Sequence, residues 1–161
     1  MQAYDIVRTA SGTGEGNGPM ISLHDGFMSP PNLVGYFPNA DRVGLDIHPY
    51  LCFDGQSADG YDVRASQPCT SWGAKQNKSM SNFGMTSAGE FSNAINDCGL
   101  FVNGVNLGTR YEGNYTGGPW PVVGSCEPWT DWTTWNDTMK ADIQQYALAS
   151  MSALQVRGLR P

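Results

Sequence analysis

Three short runs constrain this chain more than anything else in it. Residues 20–27, 41–50 and 83–90 are each brief, rich in apolar or small residues, and carry polar or charged side chains toward their C-terminal ends. Between them lie stretches with helical spacing, so strand and helix alternate. Alternation of that kind predicts an α/β fold with a parallel sheet, because parallel neighbours need a crossover and a helix usually supplies it. In residues 41–50, Val43, Leu45 and Ile47 share one strand face; Asp46 and His48 share the other, with Tyr50 in the same parity. Pro49 cannot donate to a ladder, so regular pairing should stop near it. His48 and Tyr50 are thereby expected at the C-terminal mouth of that strand. The third run ends in Glu90, one of only four glutamates in the chain. A carboxylate at the tip of a parallel strand stands where barrel enzymes place their chemistry.

The intervening segments read as follows. Residues 2–10 carry Ala3, Tyr4, Val7 and Ala10 at helical spacing. The Gly-rich stretch 11–18 follows a helix and precedes a strand, the reverse of a phosphate-cradling loop, and reads as a connector. Residues 29–37 predict a Pro-initiated short helix or turn. Residues 67–78 look helical around Cys69 and Trp72, and 92–103 form a helix behind Glu90 with Ile95, Cys98, Leu100 and Phe101 on its apolar side. The clearest helix is 136–155, with Met139, Ile143, Tyr146, Ala147, Ser150, Met151 and Leu154 on one stripe. Before it, 104–135 is a long loop with Arg110, Tyr111, Glu112, Trp120 and the Trp129/Trp132/Trp135 cluster. Those three tryptophans suit a sugar-stacking platform or packing onto the following helix, and packing is preferred. Arg110, Glu112 and Asp54 read as loop structure. Three strands are too few for a closed eight-stranded barrel, which takes about 250 residues.

At 161 residues the chain suits one domain, over 1–155, with a short basic tail at 156–161. A net charge of −6 argues against nucleic-acid and anionic-membrane partners, either of which needs a basic patch. No apolar run approaches a membrane span. Sparse charge with many Trp, Tyr, Asn and Gly suits neutral polar ligands such as sugars. Cys52, Cys69, Cys98 and Cys126 lack metal-type spacing, and His24 and His48 do not complete a zinc site with them, so neither metal nor cofactor is expected. An even cysteine count favours disulfides in a secreted protein, with three pairings open. Asn77, Asn114 and Asn136 head N-x-S/T sequons and are glycosylation candidates. Residues 1–8 lack the basic and apolar regions of a signal peptide, so any export signal is expected outside this chain.

One long motif is more specific than any of these features. Ala88-Gly89-Glu90-Phe91-Ser92, followed by Asp97-Cys98 and then the run 100–113 (LFVNGVNLGTRYEG), resembles fungal exo-β-1,3-glucanases of glycoside hydrolase family 5. Residues 21–27, 46–50 and 124–126 fit the same family in the same order. The resemblance implies strands five to seven of a (β/α)8 TIM barrel over roughly residues 1–155, and retaining release of glucose from β-1,3-glucan or laminari-oligosaccharide. It implies Glu90 as the catalytic nucleophile, His48 and Tyr50 flanking the scissile sugar, and Phe53 as one side of an aromatic clamp. It also implies a Cys98–Cys126 disulfide, leaves the pairing of Cys52 and Cys69 open, and points to an extracellular or cell-wall setting.

The departures carry equal weight. The family's acid/base glutamate follows an Asn at the end of strand four, which would fall upstream of Met1; its eighth strand would begin just after Gln155, where this chain diverges. For the second carboxyl the chain offers Asp25, Asp46 and Glu112, and none matches the acid/base position. The chain alone is therefore expected to be inactive, with a non-catalytic carbohydrate-binding role as the alternative. Part of a barrel also leaves two strand edges open, which predicts self-association.

Overall fold

The expected alternation folds as a three-stranded parallel sheet. The computed structural model describes residues 2–28 and 30–155; the expected tail at 156–161 lies outside them. In chain order the elements are α1 (Gln2–Ser11), β1 (Ile21–His24), a 3-10 turn (Pro30–Leu33), β2 (Val43–Ile47), α2 (Tyr61–Arg64), a π-helical turn (Pro68–Gly73), α3 (Ala74–Asn82), β3 (Thr86–Ala88), α4 (Glu127–Thr130), a second 3-10 turn (Trp132–Thr134) and α5 (Asp137–Leu154). No helix among the described residues is long and apolar enough to cross a membrane. The described residues divide into two compact units, one of residues 2–28, 30–48, 71–90 and 154–155, the other of residues 49–70 and 91–153.

The first unit is the sheet with its helices. β2 is central: Leu23 pairs with Leu45 and His24 with Asp46 on one side, and Leu45 pairs with Thr86 and Ile47 with Ala88 on the other. The alternation predicted for β2 is realised, since Leu45 and Ile47 are buried with Leu33, and Phe83 and Ala88 pack against them. On the opposite face Gly44 lies under Met20 and Met85, and an added Cβ would collide with the Met20 methyl. The predicted connector at 11–18 is fastened by charge. Arg8, buried in α1, donates to the carbonyls of Pro19 (2.9 Å) and Asp41 (2.8 Å), and Asp41 accepts the Gly14 N–H at 3.0 Å. Helix α3 has little apolar surface and turns Gln76 and Ser79 inward instead; Ser79 Oγ and Thr86 Oγ1 are 2.7 Å apart and fully buried.

The second unit differs from expectation most at residues 92–103, which are not helical but run as bends and turns, and α4 and the second 3-10 turn interrupt the expected loop 104–135. Short polar side chains satisfy the backbone locally in competition with a helix. Ser92 Oγ accepts the Ala94 N–H at 3.1 Å and Asn96 Oδ1 that of Cys98 at 3.2 Å. Asp97 points inward with no exposed surface. Its Oδ1 accepts the Tyr111 N–H at 3.0 Å, while Oδ2 accepts from the Arg110 N–H and Asn103 Nδ2, both at 2.8 Å. Ile95 and Cys98 are buried as the pattern required, but Leu100 and Phe101 are exposed, and Phe101 adopts a left-handed φ of 63°.

The disulfide Cys98–Cys126 (S–S 2.04 Å) forms a small core with Tyr111, against which Val123 and Trp129 pack. The tryptophans thus divide. Trp129 is half-buried on this cluster and Trp135 donates to the Pro128 carbonyl at 2.9 Å, whereas Trp132 is 67 % exposed. α5 buries Tyr146 and Ser150, and Tyr146 meets Tyr61 edge-on at 5.3 Å. Burial pushes the Tyr61 hydroxyl up to about 12 and the Tyr146 hydroxyl further in the same direction. Cys52 is a buried free thiol whose pKa is raised by that burial, and Cys69 is an exposed one.

Two measurements follow from this packing. Thr86→Val keeps the shape of the side chain but strands the Ser79 hydroxyl, and should lower the urea-unfolding free energy by about 1–3 kcal/mol, with Ser79→Ala added on top recovering part of the loss. Burial opposes the charge on Asp97, but the hydrogen bonds from Asn103, Arg110 and Tyr111 outweigh it and hold the carboxyl below its ordinary 3.8. A depressed folded pKa stabilises at pH above the unfolded value and ceases to do so as pH falls through the folded one. Stability measured by urea should therefore fall more steeply below about pH 4 in the wild type than in Asp97→Asn.

Candidate active-site strand ends

Parallel register carries the C-terminal ends of β1, β2 and β3 to one edge of the sheet, and the first unit's polar side chains gather there. Asp46, near the end of β2, accepts the Gly89 N–H on Oδ1 at 2.7 Å, just past β3. Its other oxygen, Oδ2, lies 3.4 Å from His48 Nε2. The second nitrogen of the same ring, Nδ1, lies 3.8 Å from Glu90 Oε2. One imidazole thus stands between two carboxylates supplied by neighbouring strands. The His48 side chain is mostly covered, while that of Glu90 is 62 % exposed and open to a ligand.

His24 belongs to this group although sequence reading assigned it no role. It pairs with Asp46 in register, and its ring meets His48 edge-on at 4.4 Å between centroids. Its Nδ1 accepts the Gly26 N–H at 2.9 Å, which places the ring proton on Nε2 when the side chain is neutral. Phe27 also packs edge-on against His24, at 5.1 Å between centroids. The available signal was positional: His24 ends β1 much as His48 follows β2.

In the second unit Tyr50 and Phe53 form their own edge-to-face pair, 5.5 Å between centroids at 76°. Leu51 and Cys52 between them are buried, and Phe53 is half-exposed. The three other carboxylates considered are engaged as acceptors. Asp25 Oδ1 takes the Phe27 N–H at 2.9 Å, Asp46 holds Gly89, and Glu112 Oε1 takes the Cys126 N–H at 2.8 Å. The sequons differ in freedom. Asn77 is exposed on α3, and Asn136 caps α5 through Oδ1 on the Met139 N–H at 2.8 Å. Asn114 uses both ends of its amide, accepting the Thr109 N–H at 2.7 Å and donating to Glu112 at 3.3 Å. No group of three or more metal-ligating side chains occurs among the described residues.

Gly89 is the geometric hinge of the strand ends. A Cβ there would stand 2.6 Å from Asp46 Oδ2 and 2.8 Å from Cγ, inside the carboxylate that accepts its own N–H. Gly89→Ala should therefore displace Asp46 and lower the urea-unfolding free energy by about 1–3 kcal/mol. A variant as stable as the wild type would show that the β3 tip is not held by this bond.

The chain matches no family model. It is 31 % identical over 161 residues to a glucan 1,3-beta-glucosidase of Lachancea kluyveri, covering 96 % of this chain and 35 % of that protein. It is 32 % identical over 149 residues to a probable glucan 1,3-beta-glucosidase D of Aspergillus clavatus, covering 84 % of this chain and 18 % of that one. With glucan 1,3-beta-glucosidase 2 of Wickerhamomyces anomalus it shares 29 % over 162 residues, 97 % of this chain and 36 % of the relative. The chain spans about a third or less of the length of these relatives. Over most of its own length, then, this chain is similar to a portion of the fungal glucan 1,3-β-glucosidases, as the motif running from Ala88 to Gly113 implied.

Proposed function

We propose that Glu90 is the nucleophile of a retaining β-1,3-glucosidase of glycoside hydrolase family 5, and that this chain carries it without an acid/base partner. The observation that supports the assignment is the carboxylate itself, solvent-open just past a parallel strand tip with the His48 imidazole 3.8 Å away. In the first step of such a reaction Glu90 would attack the anomeric carbon, forming a glycosyl ester as the glycosidic C–O bond breaks. A proton from the second carboxyl would neutralise the leaving oxygen; water activated by that same group would then hydrolyse the ester. The two carboxyls must stand about 5–5.5 Å apart, and the donor must be protonated. Asp25, Asp46 and Glu112 are each anchored on a backbone N–H and serve the scaffold.

His48 would bond sugar hydroxyls beside Glu90, and the Tyr50–Phe53 pair would present an aromatic face to the apolar side of a sugar ring. Residues 1–155 would correspond to strands five to seven of a (β/α)8 barrel, with β1, β2 and β3 in those places. The substrate would be β-1,3-glucan or laminari-oligosaccharide, outside the cell or in the wall. The Cys98–Cys126 disulfide is at home in such an oxidising compartment. β1 and β3 are the edge strands of the sheet, and their open sides support self-association of copies.

The anchored state of the three other carboxylates favours a second reading, binding without hydrolysis. Incubating the purified 161-residue chain with laminarin should release no glucose; release that disappears in Glu90→Gln would overturn the inactive assignment. Calorimetric titration with laminari-oligosaccharides should give heat under either reading, and none at millimolar sugar would exclude a sugar site in this chain.

A further inference from the structure

We infer that Arg110 is a positioning residue that fixes the Phe53 turn through the buried carboxylate of Asp97. The guanidinium joins Asp97 to a turn that lies more than fifty residues upstream of Arg110 in sequence. Its Nε donates to Asp97 Oδ2 at 3.1 Å, while Nη1 donates to the Phe53 carbonyl at 2.9 Å and Nη2 to the Cys52 carbonyl at 2.6 Å. The Trp120 ring lies 5.5 Å from its Cζ. A second strap ends on the same anchor: Gln56 Nε2 donates to the carbonyls of Cys52 and Asp54, both at 3.0 Å, and Gln56 Oε1 accepts the Asp97 N–H at 3.2 Å.

Burying a charged pair is costly unless its hydrogen-bonding capacity is filled; here the Cys52 and Phe53 carbonyls fill that of Arg110, and Asn103 with the Arg110 and Tyr111 N–H groups fills that of Asp97. Leu51 and Cys52 are already buried and would hold their own part of that turn. The side chain that gains from the extra fixation is the half-exposed Phe53, whose backbone carbonyl Arg110 grips directly. An exposed aromatic on a pre-set backbone loses little freedom when a ligand covers it. Lysine cannot replace the fork, since its three N–H bonds radiate from one nitrogen, whereas Asp97 and the two carbonyls are met by three separate nitrogens of a planar guanidinium. That the ligand is a sugar rests on the function proposed above; the strap does not.

The test uses the 161-residue chain throughout. In Arg110→Lys, hydrogen exchange across residues 50–57 should accelerate about tenfold or more while β2 and α3 keep their wild-type protection. Laminaritriose affinity by calorimetry should drop about tenfold in Arg110→Lys and in Phe53→Ala alike, and Arg110→Lys in the Phe53→Ala background should cost nothing further. Unchanged exchange in 50–57 would overturn the strap, and a full additional loss in the double variant would show that Arg110 does not act through Phe53. If wild type gives no heat, the sugar assignment fails, and the exchange measurement still decides the strap. Should Arg110→Lys not fold, guanidinium NMR of the wild type decides: separate, slowly exchanging Nη protons are expected, and one averaged resonance would overturn the inference.

Discussion

Parallel pairing of β2 with both neighbours is the constraint from which the chemistry of the first unit descends. Because all three strands point the same way, their last residues share one edge of the sheet. Register then decides which side chains meet: His24 lies opposite Asp46, and the Asp46 carboxylate reaches across to the Gly89 N–H. A slip of one residue would turn Asp46 and His48 toward the apolar core and Leu45 and Ile47 out of it. The burial of Leu45 and Ile47 and the presentation of His48 are therefore one decision made twice.

In the second unit a buried carboxylate does what a sheet does in the first. Asp97 gathers N–H groups from Asn103, Arg110 and Tyr111, and through Arg110 and Gln56 it organises the turn that carries Phe53. Loops without a ladder need some other way to satisfy their backbone. A carboxylate inside the loop, backed by the Cys98–Cys126 disulfide, is such a way.

The parts of the molecule that were legible in the sequence are those whose pattern repeats. Val43, Leu45 and Ile47 alternate along a strand, and the stripe through Tyr146 and Ser150 repeats along α5; both elements lie where the periodicity put them. Glu90 could be found because a lone carboxylate closes a run of small residues. Residues 92–103 could not be read this way. Ile95, Cys98, Leu100 and Phe101 mimic a helical stripe, yet Ser92 and Asn96 bond to the nearby backbone and Asp97 to that of Arg110 and Tyr111, which takes the segment out of the helix. His24 escaped notice for a different reason: its contact with His48 depends on strand register, which no single segment encodes. Arg110 was legible as loop structure but not as a strap, because its two carbonyl partners lie more than fifty residues upstream.

The Ser79–Thr86 hydroxyl pair has a consequence for how α3 finds its place. A helix with a greasy inner face can slide by a turn along a sheet and lose little, since one methyl resembles another. A helix whose inner face is Gln76 and Ser79 has less such freedom: its hydroxyl meets that of Thr86 in one alignment and loses this partner in any other. α3 adheres less strongly than an apolar helix would but discriminates more sharply. It acts as a key for β3, the strand that ends two residues before Glu90.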